Sequence, residues 1–248
     1  MIYYLLETAA AWPDMALGRC PPGLLTEAEQ AEYAALATSK RRRDWLLGRG
    51  TAKQLLRGMV QAGGHAAPSP DRLAIGRWPD GAPYATWPGR VDPWPLSISH
   101  SEGRAACATT EDATQVLGID LERIAPRSAA FAQDYLTQAE ISCVERAPHT
   151  ARETLVTAIW SAKEAALKAL HLGLTVDTRS VECLIEPPAA TPERWTPLAV
   201  TLDPERLKRP APPLAGWWQL NMGWVVTLVI QRFPFGSSVG VPHDLAGD

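Results

Sequence analysis

Asp120 and Glu122 are the residues with the clearest chemistry, standing two apart in Val116–Leu117–Gly118–Ile119–Asp120–Leu121–Glu122. In a strand side chains alternate, so Gly118, Asp120 and Glu122 face one way and Leu117, Ile119 and Leu121 the other. Two carboxylates beside a glycine that leaves room could hold a hard cation, or could equally be a solvent-facing polar edge. A second group is spaced for a helix: Trp160, Glu164 and Lys168 in Ile159–Trp160–Ser161–Ala162–Lys163–Glu164–Ala165–Ala166–Leu167–Lys168 share one face. Glu164 there is either a third metal carboxylate with a cation one turn on, or half of an ordinary surface ion pair. Magnesium held by acids beside a lysine is a common grip on a polyphosphate.

Two weaker groups precede these. Ser97, Ser99 and His100 gather hydroxyls and an imidazole at the end of a strand, where ligand groups are often presented. A structural histidine capped by serines would look the same. Lys40–Arg41–Arg42–Arg43 runs into Arg49 and Lys53. On a helix Arg42, Arg49 and Lys53 fall within about 40° of one another, beside an apolar stripe of Trp45, Ala52, Leu56 and Met59. That makes either a phosphate-binding stripe or a solvated charged face.

The elements that must position these residues follow from pattern. An apolar strand is expected at 2–8. A helix should open at the capping box Thr26/Glu29 and run to about 37, and another should span 40–60. Residues 63–95, rich in Pro and Gly, read as an irregular connector with at most short strands. Strands are expected at 95–100, 104–109 and 115–121, and helices at 128–146 and 151–171, the latter ending at Gly173. Strands follow at 180–186, 197–202, 216–221 and 224–230, with a loose tail from about Phe235. No sequence repeat is visible. The order of elements still suggests an α/β (α+β) chain of two similar lobes, 1–112 and 113–248.

Composition bounds the reading. The 248 residues are 46% hydrophobic and 21% charged, which excludes a disordered chain or coiled coil. A net charge of −3 gives no bulk attraction to nucleic acid or anionic membrane, so any anion site must be local. No apolar run approaches the roughly 20 residues of a membrane helix. The start, Met1–Ile2–Tyr3–Tyr4–Leu5–Leu6–Glu7, lacks the basic region of a secretory signal, and a cytoplasmic protein is expected. Cys20, Cys107, Cys143 and Cys183 are far apart and read as reduced thiols.

Taken in order, Gly81–Ala82–Pro83, Ser97–Ser101, Gly118–Glu122 and Trp160–Lys168 resemble the motifs of the 4'-phosphopantetheinyl transferases. Length and the separation of Asp120 from Glu164 are similar to the surfactin-type, two-lobed branch. The resemblance implies two pseudo-symmetric lobes, each a small mainly antiparallel sheet packed with helices, with coenzyme A and Mg²⁺ bound between them in a monomer. It implies transfer of the 4'-phosphopantetheine arm to a serine of an acyl or peptidyl carrier protein, releasing adenosine 3',5'-bisphosphate. The carrier could serve fatty-acid, polyketide or peptide synthesis, secondary metabolism included. By match, Asp120, Glu122 and Glu164 are the metal ligands, and Lys168 contacts phosphate oxygens. Ser99 and His100 hold phosphates, and Gly81 and Pro83 shape the turn beside adenosine. Arg42, Arg43 and Arg49 are further candidates for nucleotide contact. Glu140, His100 and Lys168 are the expected catalytic groups, with Glu140, or a water on the metal, taking the serine proton. Ala82 stands where the family commonly has lysine, a role Arg77 or one of Arg41–Arg43 could fill. The helix before the basic stretch carries Glu27, Glu29, Gln30 and Glu32 where a cation is common. A magnesium-dependent nucleotide pyrophosphohydrolase and a non-catalytic coenzyme A-binding module are the competing readings.

Overall fold

A computed structural model describes residues 1–185, 194–210, 212–232 and 240–245. The chain divides into two units. The first comprises Met1–Gln115 and the chain from Pro242 on, the second Val116–Val241.

In the first unit the elements are β1 (Ile2–Thr8), α1 (Pro13–Ala16), α2 (Glu27–Ala34), α3 (Ser39–Ala62), β2 (Ala74–Arg77), β3 (Pro83–Trp87), β4 (Arg90–Ser101) and β5 (Arg104–Thr110). Strand β1 is the expected apolar run and pairs antiparallel with β5, Ile2 opposite Thr110 and Thr8 opposite Arg104. The sheet continues through β4 and β3 to β2. Helix α3 lays Ala52, Leu55, Leu56 and Met59 on Tyr3, Leu5, Ile75, Leu96 and Cys107. Of the expected stripe, Ala52, Leu56 and Met59 therefore form this core face, while Trp45 packs in a separate cluster with Met15, Leu24, Leu25 and Leu46.

The second unit follows as β6 (Leu117–Arg123), α4 (Ala129–Tyr135), α5 (Gln138–Arg146), α6 (His149–Ala169), β7 (Val181–Leu184), β8 (Thr196–Leu202), α7 (Pro204–Leu207), β9 (Leu214–Asn221) and β10 (Trp224–Gln231). The short β11 (His243–Asp244) returns to the first sheet, parallel to β1. Sheet order is β6-β10-β9-β8-β7, against β1-β5-β4-β3-β2 in the first unit. Both units thus pair their first strand with their last and then descend. This is a mixed α+β chain with the same topology twice.

The two units also repeat a buried ion pair. On α3, Lys53 pairs with Glu29 and donates to the carbonyls of Leu24 at 2.7 Å and Pro70 at 2.9 Å. Glu29 accepts from the backbone N–H of Thr26, its capping-box partner, and of Ile75 on β2. On α6, Lys163 pairs with Glu140 at 2.9 Å and donates to the carbonyls of Thr178 and Val181. Glu140 accepts from the N–H of Thr137, again its capping-box partner, and of Cys183 on β7. In each unit a capping glutamate ties a short helix, a long helix and a strand together. Burial lowers the pKa of Lys53 and raises that of Glu140, each opposed by its partner's charge.

Several expectations are corrected. Residues 128–146 form two helices, because Leu136 leaves the helical region and Thr137 starts a new capping box. Residues 63–95 hold two short strands, as allowed, but the strand expected from 95 already starts at Arg90. Of the tail read from Phe235, residues 235–239 and 246–248 lie outside the described residues, while 243–244 form β11. The described cysteines are all free.

Gly118 sets how closely α6 approaches β6. A Cβ there would lie 1.9 Å from the carbonyl oxygen of Ala165 and 2.7 Å from the N of Ala169, both backbone atoms that cannot step aside alone. The room left by this glycine is taken by the helix rather than by an ion. Gly118→Ala is expected to cost at least the roughly 1–3 kcal/mol of ordinary overpacking, read as a lower urea midpoint. A midpoint equal to wild type would mean that the approach is slack.

Candidate active site

The close approach of α6 to β6 brings both halves of the carboxylate pattern together. Asp120 on β6 is 1% exposed, and Glu122 lies two residues on, on the same face. Glu164 reaches this face from α6. One carboxylate oxygen from each of Asp120, Glu122 and Glu164 lies within 4.8 Å of the other two. Lys168, one turn beyond Glu164, donates to Asp120 Oδ1 at 2.6 Å and to the Ile119 carbonyl at 3.3 Å. Arg127 pairs with Glu122 at 3.1 Å, and the Trp160 indole, near the same carboxylate, helps to lower its pKa. Trp160 packs edge-on against Phe131 and Tyr135. The shared face expected for Trp160, Glu164 and Lys168 is therefore the face turned to the acids. Arg127 left no signal in the sequence, since it sits in the loop after β6.

Electrostatics identify what the cluster lacks. Burial raises the Glu164 carboxyl to about 7, and the neighbouring charges of Asp120 and Glu122 push the same way against Lys168. Glu122 is raised by burial and by Asp120, against Arg127. Three carboxylates crowded beside one lysine and one arginine are under-compensated, and a divalent cation removes that repulsion. The donors are all oxygen, as magnesium prefers, and three protein carboxylates leave further positions for water or phosphate oxygens. The residues fit such an ion.

Glu140 does not join this group. It is 0% exposed, and its oxygens are taken by Thr137 N, Cys183 N and Lys163 Nζ. In this arrangement the enclosed carboxylate anchors α5, α6 and β7 and turns no oxygen toward the acidic cluster. Its neighbour Cys183 has its thiol pKa pushed up by burial and by the Glu140 charge, and is inert at neutral pH.

The first unit gathers the other candidates. Arg49, Arg77, Gly81, Pro83 and His100 line one cavity of about 160 Å³ with Trp45, Gly48 and Ile98. Gly81 has φ +90°, which closes the β2–β3 hairpin and favours glycine. In that hairpin the Ala82 N–H donates to Asp80 Oδ1, and its carbonyl accepts from Trp78 N. Ala82 is not among the cavity's lining residues. Ile98 and His100 turn toward Gly48 of α3, so Ser99, nearly buried between them in sequence, faces the opposite side of the sheet.

Arg42 and Arg43 are set apart. Arg42 donates to the Leu36 carbonyl and lies over the Tyr33 ring, and exposed Arg43 is not among the lining residues. The expected basic stripe is not free either. Lys53 is fully buried against Glu29, and Arg49 is held by Glu29 at 3.6 Å and Glu32 at 3.2 Å. The acids of α2 are there because this face of α3 carries their partners.

These features can be set beside known proteins. Residues 116–206 match the family model of the 4'-phosphopantetheinyl transferase superfamily. That stretch contains Asp120, Glu122, Glu164 and Lys168. Three solved structures are similar to parts of the chain. The holo-[acyl-carrier-protein] synthase of Thermotoga maritima is 18% identical, with a TM-score of 0.36 over 47% of this chain and 62% of that one. This chain therefore spans less than two thirds of the Thermotoga protein. The Helicobacter pylori synthase in complex with coenzyme A is 18% identical, with a TM-score of 0.36 over 47% of this chain and 99% of that one. The Neisseria meningitidis synthase is 17% identical, with a TM-score of 0.37 over 48% and 98%. No curated protein sequence gives a significant match.

Proposed function

We propose that this protein transfers the 4'-phosphopantetheine arm of coenzyme A to a serine of an acyl or peptidyl carrier protein, with magnesium, and releases adenosine 3',5'-bisphosphate. The observation that carries the reading is the Asp120–Glu122–Glu164 cluster with Lys168 bonded into it, inside the segment matched by the superfamily model. Two units of identical strand order in one chain support the surfactin-type branch and a monomer. Among the described residues no helix is long and apolar enough to cross a membrane.

Asp120, Glu122 and Glu164 would hold the magnesium, which when bound supplies positive charge to the pyrophosphate of coenzyme A. Lys168 adds a mobile cation on the same side. Released from Asp120 toward the phosphate, its ammonium stabilises charge growing on the leaving nucleotide. Arg127 fixes the Glu122 carboxylate, with Trp160 beside it, and Gly118 keeps Glu164 and Lys168 at bonding distance from β6. In the first unit Arg77 and His100 are suited to the nucleotide's phosphate. Acids divided between a strand and a helix argue against a pyrophosphohydrolase, which would gather glutamates on one helix.

The test combines protein, magnesium, coenzyme A and an apo carrier protein, and reads the carrier's mass. The expected result is the mass gain of the arm, abolished by excess chelator. Alone, the protein should melt higher when magnesium is added, and Glu164→Gln should abolish that shift. Hydrolysis of coenzyme A without modification of any carrier would establish the pyrophosphohydrolase instead. Binding without either reaction would leave a coenzyme A-binding module.

A further inference from the structure

Beside His100 the first unit has a cavity of about 750 Å³ whose walls include Glu32, Lys40, Arg41, Asp44, Trp45 and Arg77. Lys40 and Asp44 pair with each other at 2.7 Å. Arg41 and Arg77 remain as cations facing the single carboxylate of Glu32. That carboxylate is held from three directions: Arg49 Nη2 at 3.2 Å, Arg77 Nη2 at 3.3 Å and Trp45 Nε1 at 3.1 Å. Two guanidinium groups and an indole N–H converging on two oxygens make a donor set that suits a phosphate as well as a carboxylate. Burial works to raise the Glu32 pKa, but Arg49, Trp45 and Arg77 outweigh it and hold it low, so the acid is charged at neutral pH.

The parts differ in how easily they move. Arg49 has a side chain only 4% exposed, stacks on the Trp45 ring at 4.7 Å, and keeps Glu29 at 3.6 Å whatever Glu32 does. Its buried Nε has no hydrogen-bond partner. Glu32 and Arg77 are 39% and 54% exposed. The carboxylate can therefore leave for water while the buried half of the clamp stays assembled.

We infer that Glu32 is an internal anion seated in a phosphate clamp made by Arg49, Arg77 and Trp45, and that a phosphate monoester binds there by displacing it. A phosphate dianion brings more charge and a third oxygen to the same donors. It must first replace two charge-assisted bonds, which holds its net affinity down. Resting on the function proposed above, the clamp takes the 3'-phosphate of coenzyme A, and Glu32 sets how much that phosphate contributes to binding.

The probes are adenosine 3',5'-bisphosphate and adenosine 5'-monophosphate, which differ by the 3'-phosphate, titrated calorimetrically without metal or carrier. In Glu32→Gln the amide oxygen still accepts from Trp45, but the charge is gone. The bisphosphate should then bind about tenfold tighter, the scale of one charge-assisted bond at a half-exposed site, and the monophosphate little changed. Adding Arg77→Ala should remove the gain, and higher salt should shrink it. Arg77→Ala alone, a surface change that leaves the fold intact, should weaken the bisphosphate selectively. Equal or weaker bisphosphate binding in Glu32→Gln would overturn the inference, as would a gain that survives Arg77→Ala. Failure of both proteins to bind the bisphosphate at millimolar concentration would do the same. Arm transfer is not read in these titrations. A protein that shows this pattern but modifies no carrier keeps the clamp and loses the proposed function, and the reverse pattern does the opposite.

Discussion

Asp120→Ala is expected to slow arm transfer by roughly a hundredfold or more, about 2.7 kcal/mol of lost transition-state stabilisation. Asp120 is the member of the acidic cluster that is almost fully buried, and the one to which Lys168 is bonded at 2.6 Å. Removing it deletes a metal ligand and the anchor that sets Lys168 over the site. The fold should survive. Asp120 is also one of the charges that push Glu164 up to about 7, so its loss relieves repulsion in the metal-free protein. Melting should therefore change little without magnesium, while the magnesium-induced rise seen in wild type should be lost. Turnover within a few-fold of wild type, or a preserved magnesium shift, would show that the cation sits elsewhere.

The acidic cluster was legible because both halves obey local periodicities. Alternation on β6 and the 3.6-residue turn of α6 each put their acids on one face, the family resemblance joined the two faces, and Gly118, read as room for an ion, is instead where the helix comes close. What the pattern left open was the partner of each face, which depends on contacts distant in sequence. Lys53 and Lys163 look like surface helix charges in the sequence, yet both are buried, because the glutamates that neutralise them lie on other helices. The repeat of two similar lobes was suggested by the order of elements, but the strand pairing within each was not, for the same reason. It resides in strand order, in two Glu–Lys pairs and in one short matching run, Leu25–Thr26–Glu27–Ala28–Glu29 against Leu136–Thr137–Gln138–Ala139–Glu140. The short strands allowed within 63–95 could not be placed, because four- and five-residue segments are too short to show alternation between turn residues. Glu140 is the instructive residue. Its capping-box partner Thr137 stands three residues before it, the same local signal that correctly opened α2 at Thr26. A resemblance to a catalytic glutamate outweighed it.

Glu140→Ala is expected to cost about 3–5 kcal/mol of stability, as breaking a buried pair typically does. The loss leaves the Lys163 ammonium, 0% exposed, without its counter-ion, and leaves the N–H groups of Thr137 and Cys183 without an acceptor. The melting midpoint should fall on the order of 10 °C or more. Activity alone cannot interpret this variant, since a destabilised α6 would also misplace Glu164 and Lys168. Glu140→Gln combined with Lys163→Met separates the roles. Glutamine keeps an oxygen for one of the two N–H groups, and methionine fills the lysine's volume without a buried charge, so part of the stability should return, less the bonds to Cys183 N and to the Thr178 and Val181 carbonyls. If Glu140 only anchors α5, α6 and β7, arm transfer returns with the fold. If its carboxylate took the serine proton, the double variant would fold and remain slow by about the 10²–10⁴ of a lost general base. Measuring melting and transfer on the same preparation decides between the two, and full enclosure of the carboxylate favours recovery.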